Sequence, residues 1–314
     1  NTAMGLWSLK LNTTGCKNAA VGSHSLQSNT EGCVNTAIGY QSLQSNTTAS
    51  YNTAVGSCAL FDNTTGHSNT ASGFYSLANN TTGCKNVAAG AWSLGKNTSG
   101  CSNTASGYTS LWENTTGYGN AAHGTKSLCK NTTGGKNVAV GYQALTTNTT
   151  GDSNTAVGAC SLFANTTGAQ NTASGYRAMA SNTCGYDNTA MGWLAMCGNT
   201  TGYNNVAVGR QALLTNTIGV DNVSIGKQSL YHNTCGCRNT ASGYRAGYNT
   251  TSGGGNNAFG YIALCANTTG CRNHAMGSYT LRFNTTANDN TASGHYALRT
   301  NTTGSCNAAF GMNA

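Results

Sequence analysis

The sequence predicts an all-β protein built as a parallel β-solenoid, with one coil for every seventeen residues. Eighteen copies of a seventeen-residue unit run from Asn1 to Cys306, and a partial copy follows at residues 307–314. The copy at residues 154–170 reads NTAVGACSLFANTTGAQ, and the next copy reads NTASGYRAMASNTCGYD. A fixed period of this kind indicates a repeat architecture in which each unit contacts mainly its neighbours. Equivalent residues should therefore lie one above another in successive coils.

Glycines at two repeat positions are expected to form the corners of each coil. Glycine fills position five of every copy and position fifteen of most copies, where Ala49 and Ala287 are the exceptions. The position-five column begins with Gly5, Gly22, Gly39 and Gly56. Glycine at fixed offsets marks a tight corner or a positive φ, and it argues against helix. Two corners leave two extended segments, at about positions one to four and six to ten, and Thr or Val at position two favours a strand there.

A leucine column should form the core. Position nine is leucine in fifteen of eighteen copies; Met179 and Met196 are conservative replacements, and Gly247 breaks the column. The column begins with Leu9, Leu26, Leu43 and Leu60. Ala at position three and Ser or Ala at position eight indicate that space is tight. Small residues on both sides of the strand also predict a second buried face. We therefore expect sideways self-association, as a homo-oligomer such as a trimer.

Asparagine and threonine form three further columns. Asn occupies position one throughout and position twelve in all copies but one, and Thr occupies position thirteen in every copy. Asn side chains stacked at strand spacing can form amide ladders. The position-twelve column begins with Asn12, Asn29, Asn46 and Asn63. We interpret these columns first as ladders that stabilise turns.

The same Asn-Thr-Thr block offers an alternative interpretation. It matches the N-glycosylation acceptor pattern in most copies, as at Asn12, Asn63, Asn114, Asn165 and Asn301. Several copies break the acceptor, for example with Glu31 or Cys184, and nevertheless keep the asparagine. This pattern favours the structural interpretation over glycosylation.

One copy, at residues 239–255, is irregular. It reads NTASGYRAGYNTTSGGG, so the Asn-Thr-Thr block arrives one residue early and extra glycines restore the phase. Because the unit length is kept, we expect a local bulge and a single continuous solenoid domain over residues 1–314. Neither end departs from the template. Since solenoids normally need capping units, we expect either caps outside this sequence or end-to-end stacking of chains.

Six of the fourteen cysteines share repeat position sixteen. They are Cys16, Cys33, Cys84, Cys101, Cys237 and Cys271. With coils about 4.8 Å apart, Cys16 lies over Cys33 and Cys84 lies over Cys101, within the Cα separation that a disulfide allows. These two pairs are candidate disulfides, and the alternative interpretation is a small residue in a turn. Cys237 and Cys271 lie two coils apart and should not pair.

Composition and charge exclude several classes of function. Charged residues are 7% of the chain, and the net charge is +8. The basic residues fall at different repeat positions, so we expect no continuous basic stripe. Without such a stripe, we expect no nucleic-acid binding. No apolar run is long enough to insert into a membrane. The seven acidic residues are scattered, and no catalytic, phosphate-binding or metal-binding motif is present, since the Cys235 and Cys237 pair lacks zinc spacing. We expect neither an enzyme nor a cofactor.

Position six of the repeat often carries an aromatic residue. Examples are Tyr40, Phe74, Tyr108, Tyr142, Tyr176, Trp193, Tyr244 and Tyr261. This column could be a stripe that binds glycans or surfaces, or it could be the seam between protomers. The sequence does not choose between the two.

The repeat resembles those of a known class of fibrous proteins. The unit T-G-x-x-N-T-A-x-G-x-x-[SA]-L, as in TGDSNTAVGACSL at residues 150–162, resembles repeats of phage tail fibres and of bacterial tail-fibre-like surface proteins. It is more distantly similar to the β-roll head repeats of trimeric autotransporter adhesins. The resemblance covers the whole chain and implies an extracellular, often trimeric, elongated fibre.

Three functions are therefore expected from the sequence, in order of preference. The first is a non-enzymatic structural protein that forms an extracellular fibre or filament. The second is an adhesin that binds glycans or a cell or host surface. The third is an ice-binding solenoid, in which Asn12 and Thr14 point the same way and repeat every coil as a flat polar grid.

Overall fold

The structure, a computed structural model, describes all residues from 1 to 314 and contains nineteen short β-strands and no helix. Two compact units are distinguished, residues 1–157 and residues 158–314. The first unit holds β1 (Thr2–Met4), β2 (Ala19–Val21), β3 (Thr36–Ile38), β4 (Thr53–Val55), β5 (Thr70–Ser72), β6 (Val87–Ala89), β7 (Thr104–Ser106), β8 (Ala121–His123), β9 (Val138–Val140) and β10 (Thr155–Val157). The second holds β11 (Thr172–Ser174), β12 (Thr189–Met191), β13 (Val206–Val208), β14 (Val223–Ile225), β15 (Thr240–Ser242), β16 (Asn257–Phe259), β17 (His274–Met276), β18 (Thr291–Ser293) and β19 (Ala308–Phe310).

Within each unit, every strand pairs in parallel with the next strand along the chain. In the first unit Thr2 lies opposite Ala19, and in the second Thr172 lies opposite Thr189. The partner in each pair is seventeen residues away, so one repeat makes one coil. The predicted parallel β-solenoid is confirmed.

Each strand ends at the glycine of position five. Gly22 has a φ of +128°, and a Cβ atom there would lie 2.5 Å from the carbonyl oxygen of Gly39 in the next coil. Both the left-handed backbone and the close approach exclude other residues. The predicted corner at Gly5, Gly22, Gly39 and Gly56 is therefore confirmed.

The glycine of position fifteen is needed for a different reason. Its φ is not left-handed, but a Cβ atom on Gly66 would come closest to the carbonyl oxygen of Gly83 in the next coil, and it would lie 2.5 Å from Oδ1 of Asn63 and 2.7 Å from Nδ2 of Asn80. Glycine leaves room here for the packed asparagine amides. Where Ala49 takes this position, the amide contact from Asn63 to Asn46 lengthens to 3.0 Å, compared with 2.7 Å from Asn80 to Asn63.

The second predicted extended segment is wrong. Positions six to eleven form turns instead of a strand. Residues at positions seven, nine and seventeen take left-handed φ values, for example His24 (+62°), Leu26 (+48°) and Val34 (+59°). These turns close the coil around a strand of only three residues. A left-handed L-residue costs about 1–2 kcal/mol, which the burial of a leucine, about 1.5–3 kcal/mol, offsets.

The core lies inside the coil, and its small residues share one interior. Leu26, Leu43 and Leu60 are fully buried, while Leu9 in the first coil is half-buried. Ala at position three and Ser or Ala at position eight are buried in the same interior, so the predicted second buried face is wrong. The reason is that position eight belongs to an inward-facing turn and not to a strand. Side-by-side association of chains must therefore rest on another surface of the coil.

The irregular copy at residues 239–255 keeps its register, so the predicted bulge is wrong. β15 pairs in step with both β14 and β16. Gly247 takes position nine with a φ of +60°, close to that of the leucines it replaces, and Thr250 takes position twelve. This coil therefore differs in side chains and not in backbone path.

Candidate functional site

The asparagines of position twelve form a hydrogen-bonded amide ladder. Nδ2 of Asn29 donates to Oδ1 of Asn12 (2.7 Å) and to the carbonyl oxygen of Gly32 in its own coil (3.0 Å). Asn46 and Asn63 repeat the pattern toward the preceding coil at 2.7 and 3.0 Å. Each amide thus binds the coil before it and closes the turn of its own coil. The predicted ladder is confirmed.

The asparagines of position one form a second ladder beside the strand. Oδ1 of Asn18 accepts the backbone N–H of Asn35 (2.9 Å) and also its Nδ2 (3.2 Å). Nδ2 of Asn18 donates to the carbonyl oxygen of Gly32 at 2.8 Å, the same oxygen that accepts from Asn29. The carbonyl of position fifteen therefore joins the two ladders.

The threonine column of position thirteen serves the same turn. The carbonyl oxygen of Thr30 accepts the backbone N–H groups of Thr13, Thr14 and Gly15 at 2.9 to 3.1 Å, together with the Thr13 hydroxyl at 3.0 Å. One carbonyl is thus surrounded by donors from the preceding coil. A β-hydroxyl at position thirteen supplies one of them, which accounts for the threonine there.

The ladder leaves no room for glycans on its asparagines. Asn63, Asn114 and Asn165 are fully buried, and Nδ2 of each donates to the position-fifteen carbonyl of its own coil at 2.9 to 3.0 Å. Asn12 and Asn301 are half-buried and donate to the same kind of carbonyl. A glycan would replace one amide hydrogen, and a buried nitrogen such as that of Asn63 uses both in hydrogen bonds, so the folded coil is incompatible with glycosylation at the buried asparagines.

The predicted ice-binding grid is also wrong. The asparagine column of position twelve points into the coil, while Thr14 and its equivalents lie on the surface. The two columns flank an inward-turning corner and do not share a flat face. Alternation of side chains, which the prediction assumed, holds only within the strand.

The ladder is interrupted at Thr250 in the second unit. Oδ1 of Asn233 and Oγ1 of Thr250 are both buried and have no hydrogen-bond partner. In the regular coils, the asparagine of the next coil donates to this oxygen. Leaving such a group unpaired costs about 1–3 kcal/mol.

Restoring the missing amide should stabilise the second unit. Replacing Thr250 with asparagine supplies a donor for Asn233, and we expect the free energy of unfolding to rise by about 1–2 kcal/mol. Replacement of the neighbouring Thr251 is the matched control, because its hydroxyl already donates to Thr268 at 3.1 Å. Thr251→Asn should destabilise. Guanidinium denaturation measures both, and equal effects of the two variants would contradict this account of the ladder.

Two pairs of cysteines are stacked on successive coils as predicted. The Sγ atoms of Cys16 and Cys33 are 2.7 Å apart, and those of Cys84 and Cys101 are 2.9 Å apart. All four are thiols in this structure. Contact between the sulfur atoms supports disulfide formation under oxidation, which stays a prediction.

The two thiols of the first pair differ in acidity. The Cys16 thiol donates to the sulfur of Cys33, which lowers the pKa of Cys33, and the Cys16 backbone N–H and Lys17 act in the same direction. The same contact raises the pKa of Cys16. Cys33 therefore ionises first and is the nucleophile of the pair.

Two chemical measurements test the cysteine pairs. Below the ordinary thiol pKa, iodoacetamide should modify Cys33 before Cys16, because the depressed pKa gives Cys33 more thiolate at that pH, and the difference should fade as pH rises.

After mild oxidation, mass spectrometry should find the two predicted bridges. Cys237 and Cys271, two coils apart, are the internal control. Bridges that join cysteines at random would contradict the stacking.

Outward-facing residues form two distinct surfaces. Positions two and four of the strands face outward and carry no Asp, Glu, Lys or Arg in any of the nineteen strands. The aromatic residues of position six lie on the turn that follows the strand and are partly exposed; Tyr108, for example, is 52% exposed. The structure thus places the predicted aromatic column at the surface.

No metal centre emerges from these residues. His, Cys, Asp and Glu form no group of three that could hold a metal ion. No helix crosses a membrane here, since the chain has no helix of sufficient length and apolarity. Comparisons of the chain with protein-family models, with curated proteins and with solved structures found no match.

Proposed function

We propose that this chain is a non-enzymatic structural protein that forms an extracellular fibre or filament. The observation that carries the proposal is the constancy of the bonds between coils. The strand register, both amide ladders and the carbonyl of position thirteen recur in coil after coil, although the outward residues differ from coil to coil. Constant residues inside the coil and variable residues outside it are typical of a structural shaft.

The bonding scheme gives such a shaft its stability. A satisfied buried hydrogen bond contributes about 1 kcal/mol, and a buried leucine contributes about 1.5–3 kcal/mol. Each coil adds several of the former and one of the latter to its neighbour. Because nearest-neighbour terms add, longer arrays are more stable, and the covalent length can grow without a new core.

Two features support an extracellular setting. The repeat resembles those of surface fibres, and the stacked thiols of Cys16–Cys33 and Cys84–Cys101 are placed for oxidation. Disulfides form and persist in oxidising environments outside the cytosol.

The outer face of the strands supports self-association. Val138, Val140 and Val157 are 37–40% exposed, and the surrounding positions two and four bear no Asp, Glu, Lys or Arg. Parallel sheets are usually covered on both faces. We propose that a second copy of this chain covers the outer face, which replaces the incorrect argument from small residues.

Electron microscopy and analytical ultracentrifugation test this function. The purified protein should form fibrous particles containing more than one chain. Val138→Lys with Val140→Lys should reduce the particles to single chains, because two charges would be buried between the copies. Thr133→Lys with Thr150→Lys, which adds the same charge at exposed position fourteen, should leave assembly unchanged. A monomeric, globular wild-type particle would contradict the proposal.

A further inference from the structure

The turn that follows the strand carries a basic and aromatic surface in the second unit. We define the cation–aromatic face as the side chains at positions six, seven and ten of its coils. Its cations are Arg177, Arg210, Lys227, Arg245, Arg282 and Arg299, which are six of the eight basic residues of this unit. Its aromatic residues include Trp193, Tyr244, Tyr248, Tyr261, Tyr279 and Tyr296.

The structure shows that the three repeat positions belong to one surface. The guanidinium of Arg245, at position seven, lies 5.3 Å from the ring of Tyr244 at position six and 4.9 Å from that of Tyr248 at position ten. Basic residues that occupy different repeat positions in the sequence therefore lie on the same surface of the coil. Turns at positions six to eleven bring those repeat positions onto one surface, although the coils at residues 188–204 and 256–272 carry no cation there.

No carboxylate neutralises this face. The acidic residues of the second unit are Asp187, Asp221 and Asp289, all at position seventeen, before the strand. The face lies after the strand, so the three-residue strand separates the two sets of charges. Asp289 already pairs with Arg272 at 2.6 Å. The six cations are thus left available for an external anion.

Aromatic rings hold the cations in place instead. Arg210 lies 4.7 Å from the ring of Trp193, and Arg299 lies 4.7 Å from the ring of Tyr296. Nε of Arg245 also donates to Oε1 of Gln228 at 3.0 Å. Stacking of this kind restrains a guanidinium while leaving its terminal N–H groups free to bind an anion in a fork.

The tyrosines stack on one another along the face. The rings of Tyr244 and Tyr261 are 5.3 Å apart and nearly parallel, and those of Tyr279 and Tyr296 are 5.2 Å apart. A neighbouring ring lies against one face of each of these tyrosines. Their edges form a row among positively charged donors, which suits ligands with many hydroxyl and anionic groups.

We propose that the cation–aromatic face binds a linear acidic polysaccharide, one that carries sulfate or carboxylate groups along its length. Cations occur on the consecutive coils of Arg210, Lys227 and Arg245, about 4.8 Å apart, and again on those of Arg282 and Arg299. This interval is close to the repeat of one sugar along an extended glycan. Bidentate guanidinium contacts bind sulfate and carboxylate groups strongly.

Single-stranded nucleic acid fits the face less well. Its sequence-independent binding relies on bases that stack on open aromatic faces. Here ring faces such as those of Tyr244 and Tyr248 already contact another ring or a guanidinium group, which leaves fewer of them open to bases. The face therefore suits the glycan better, and nucleic acid becomes an outcome of the test.

Binding of labelled heparin oligosaccharide to the full chain tests the proposal, with alginate, neutral dextran and single-stranded oligo-dT as comparison probes. The triple variant Arg245→Gln, Arg282→Gln and Arg299→Gln should weaken heparin binding at least tenfold. The matched control is Lys96→Gln, Lys126→Gln and Lys130→Gln in the first unit, which removes the same charge. This control should change the affinity less than threefold. Circular dichroism checks that both variants stay folded.

Each result decides the question. Tighter binding of heparin or alginate than of oligo-dT and dextran, with selective loss in the second-unit variant, supports the proposal. Equal loss in the two variants would show attraction by net charge alone and overturn it. Absence of heparin and alginate binding, or tighter binding of oligo-dT, would overturn it as well. The outcome is independent of assembly, because microscopy of the same variants reports the fibre separately.

Discussion

Replacing Asn80 with aspartate is expected to lower the free energy of unfolding by about 3 kcal/mol or more. Asn80 is fully buried; its Nδ2 donates to Asn63 (2.7 Å) and to the carbonyl of Gly83 (2.9 Å), and its Oδ1 accepts from Asn97 (2.7 Å). Aspartate has the same shape but no amide donor. Its carboxylate would place a negative charge beside two oxygens, Oδ1 of Asn63 and the carbonyl oxygen of Gly83, that each need a hydrogen-bond donor.

Asn79 provides a matched control for this change. It precedes Asn80 in the chain and is exposed, so Asn79→Asp should shift the free energy of unfolding by less than about 0.5 kcal/mol. Burial should raise the pKa of the new carboxyl in the Asn80 variant. The loss in free energy of unfolding should therefore grow as pH rises above about 3.9, because the new carboxyl group loses its proton first in the unfolded chain. Guanidinium unfolding at several pH values measures this, and equal, pH-independent effects at both positions would count against the buried ladder.

Gly39→Ala is expected to be still more damaging, with a loss of about 4 kcal/mol or complete failure to fold. Gly39 has a φ of +134°, and a new Cβ atom would lie 2.5 Å from the carbonyl oxygen and 2.7 Å from the carbonyl carbon of Gly56. Both atoms belong to the backbone of the next coil. They cannot move without separating the strands.

Gly135→Ala is the control for Gly39→Ala. Gly135 does not have a left-handed φ, and it occupies position sixteen, where Ala169 stands in another coil. The nearest atom to a new Cβ is in the ring of Tyr118, at 3.0 Å, and that side chain is largely exposed; the carbonyl oxygen of Tyr118 follows at 3.1 Å, well beyond the 2.5 Å at Gly39. We expect a change of about 1 kcal/mol at most. Similar losses in both variants, measured by thermal unfolding, would contradict the close approach at position five.

Much of the fold could be predicted because each repeat position has one dominant structural role. The period fixed the coil length, Gly39 and its equivalents marked the corner, and the asparagine columns indicated ladders. What could not be predicted was the path of positions six to eleven. A leucine such as Leu26 gives no sign of a left-handed φ, because its burial offsets a conformation that its own preference opposes.

The surfaces were harder to predict for the same reason. Arg245 and Arg282 occupy different repeat positions, and only the turn geometry places both on one face with Tyr244 and Tyr279. Conversely, Asn12 and Thr14 lie two apart in sequence but on different sides of the chain. Strand alternation is a poor guide outside the three residues of each strand.

Hydrogen exchange of the asparagine side-chain amides, followed by NMR, shows whether the amide ladders hold successive coils together. We expect the Nδ2 protons of buried position-one and position-twelve residues, such as Asn35 and Asn80, to exchange far more slowly than those of exposed Asn79. Exchange of Asn35 and Asn80 at the rate of Asn79 would contradict this expectation, because ladders that open so readily could not hold successive coils together.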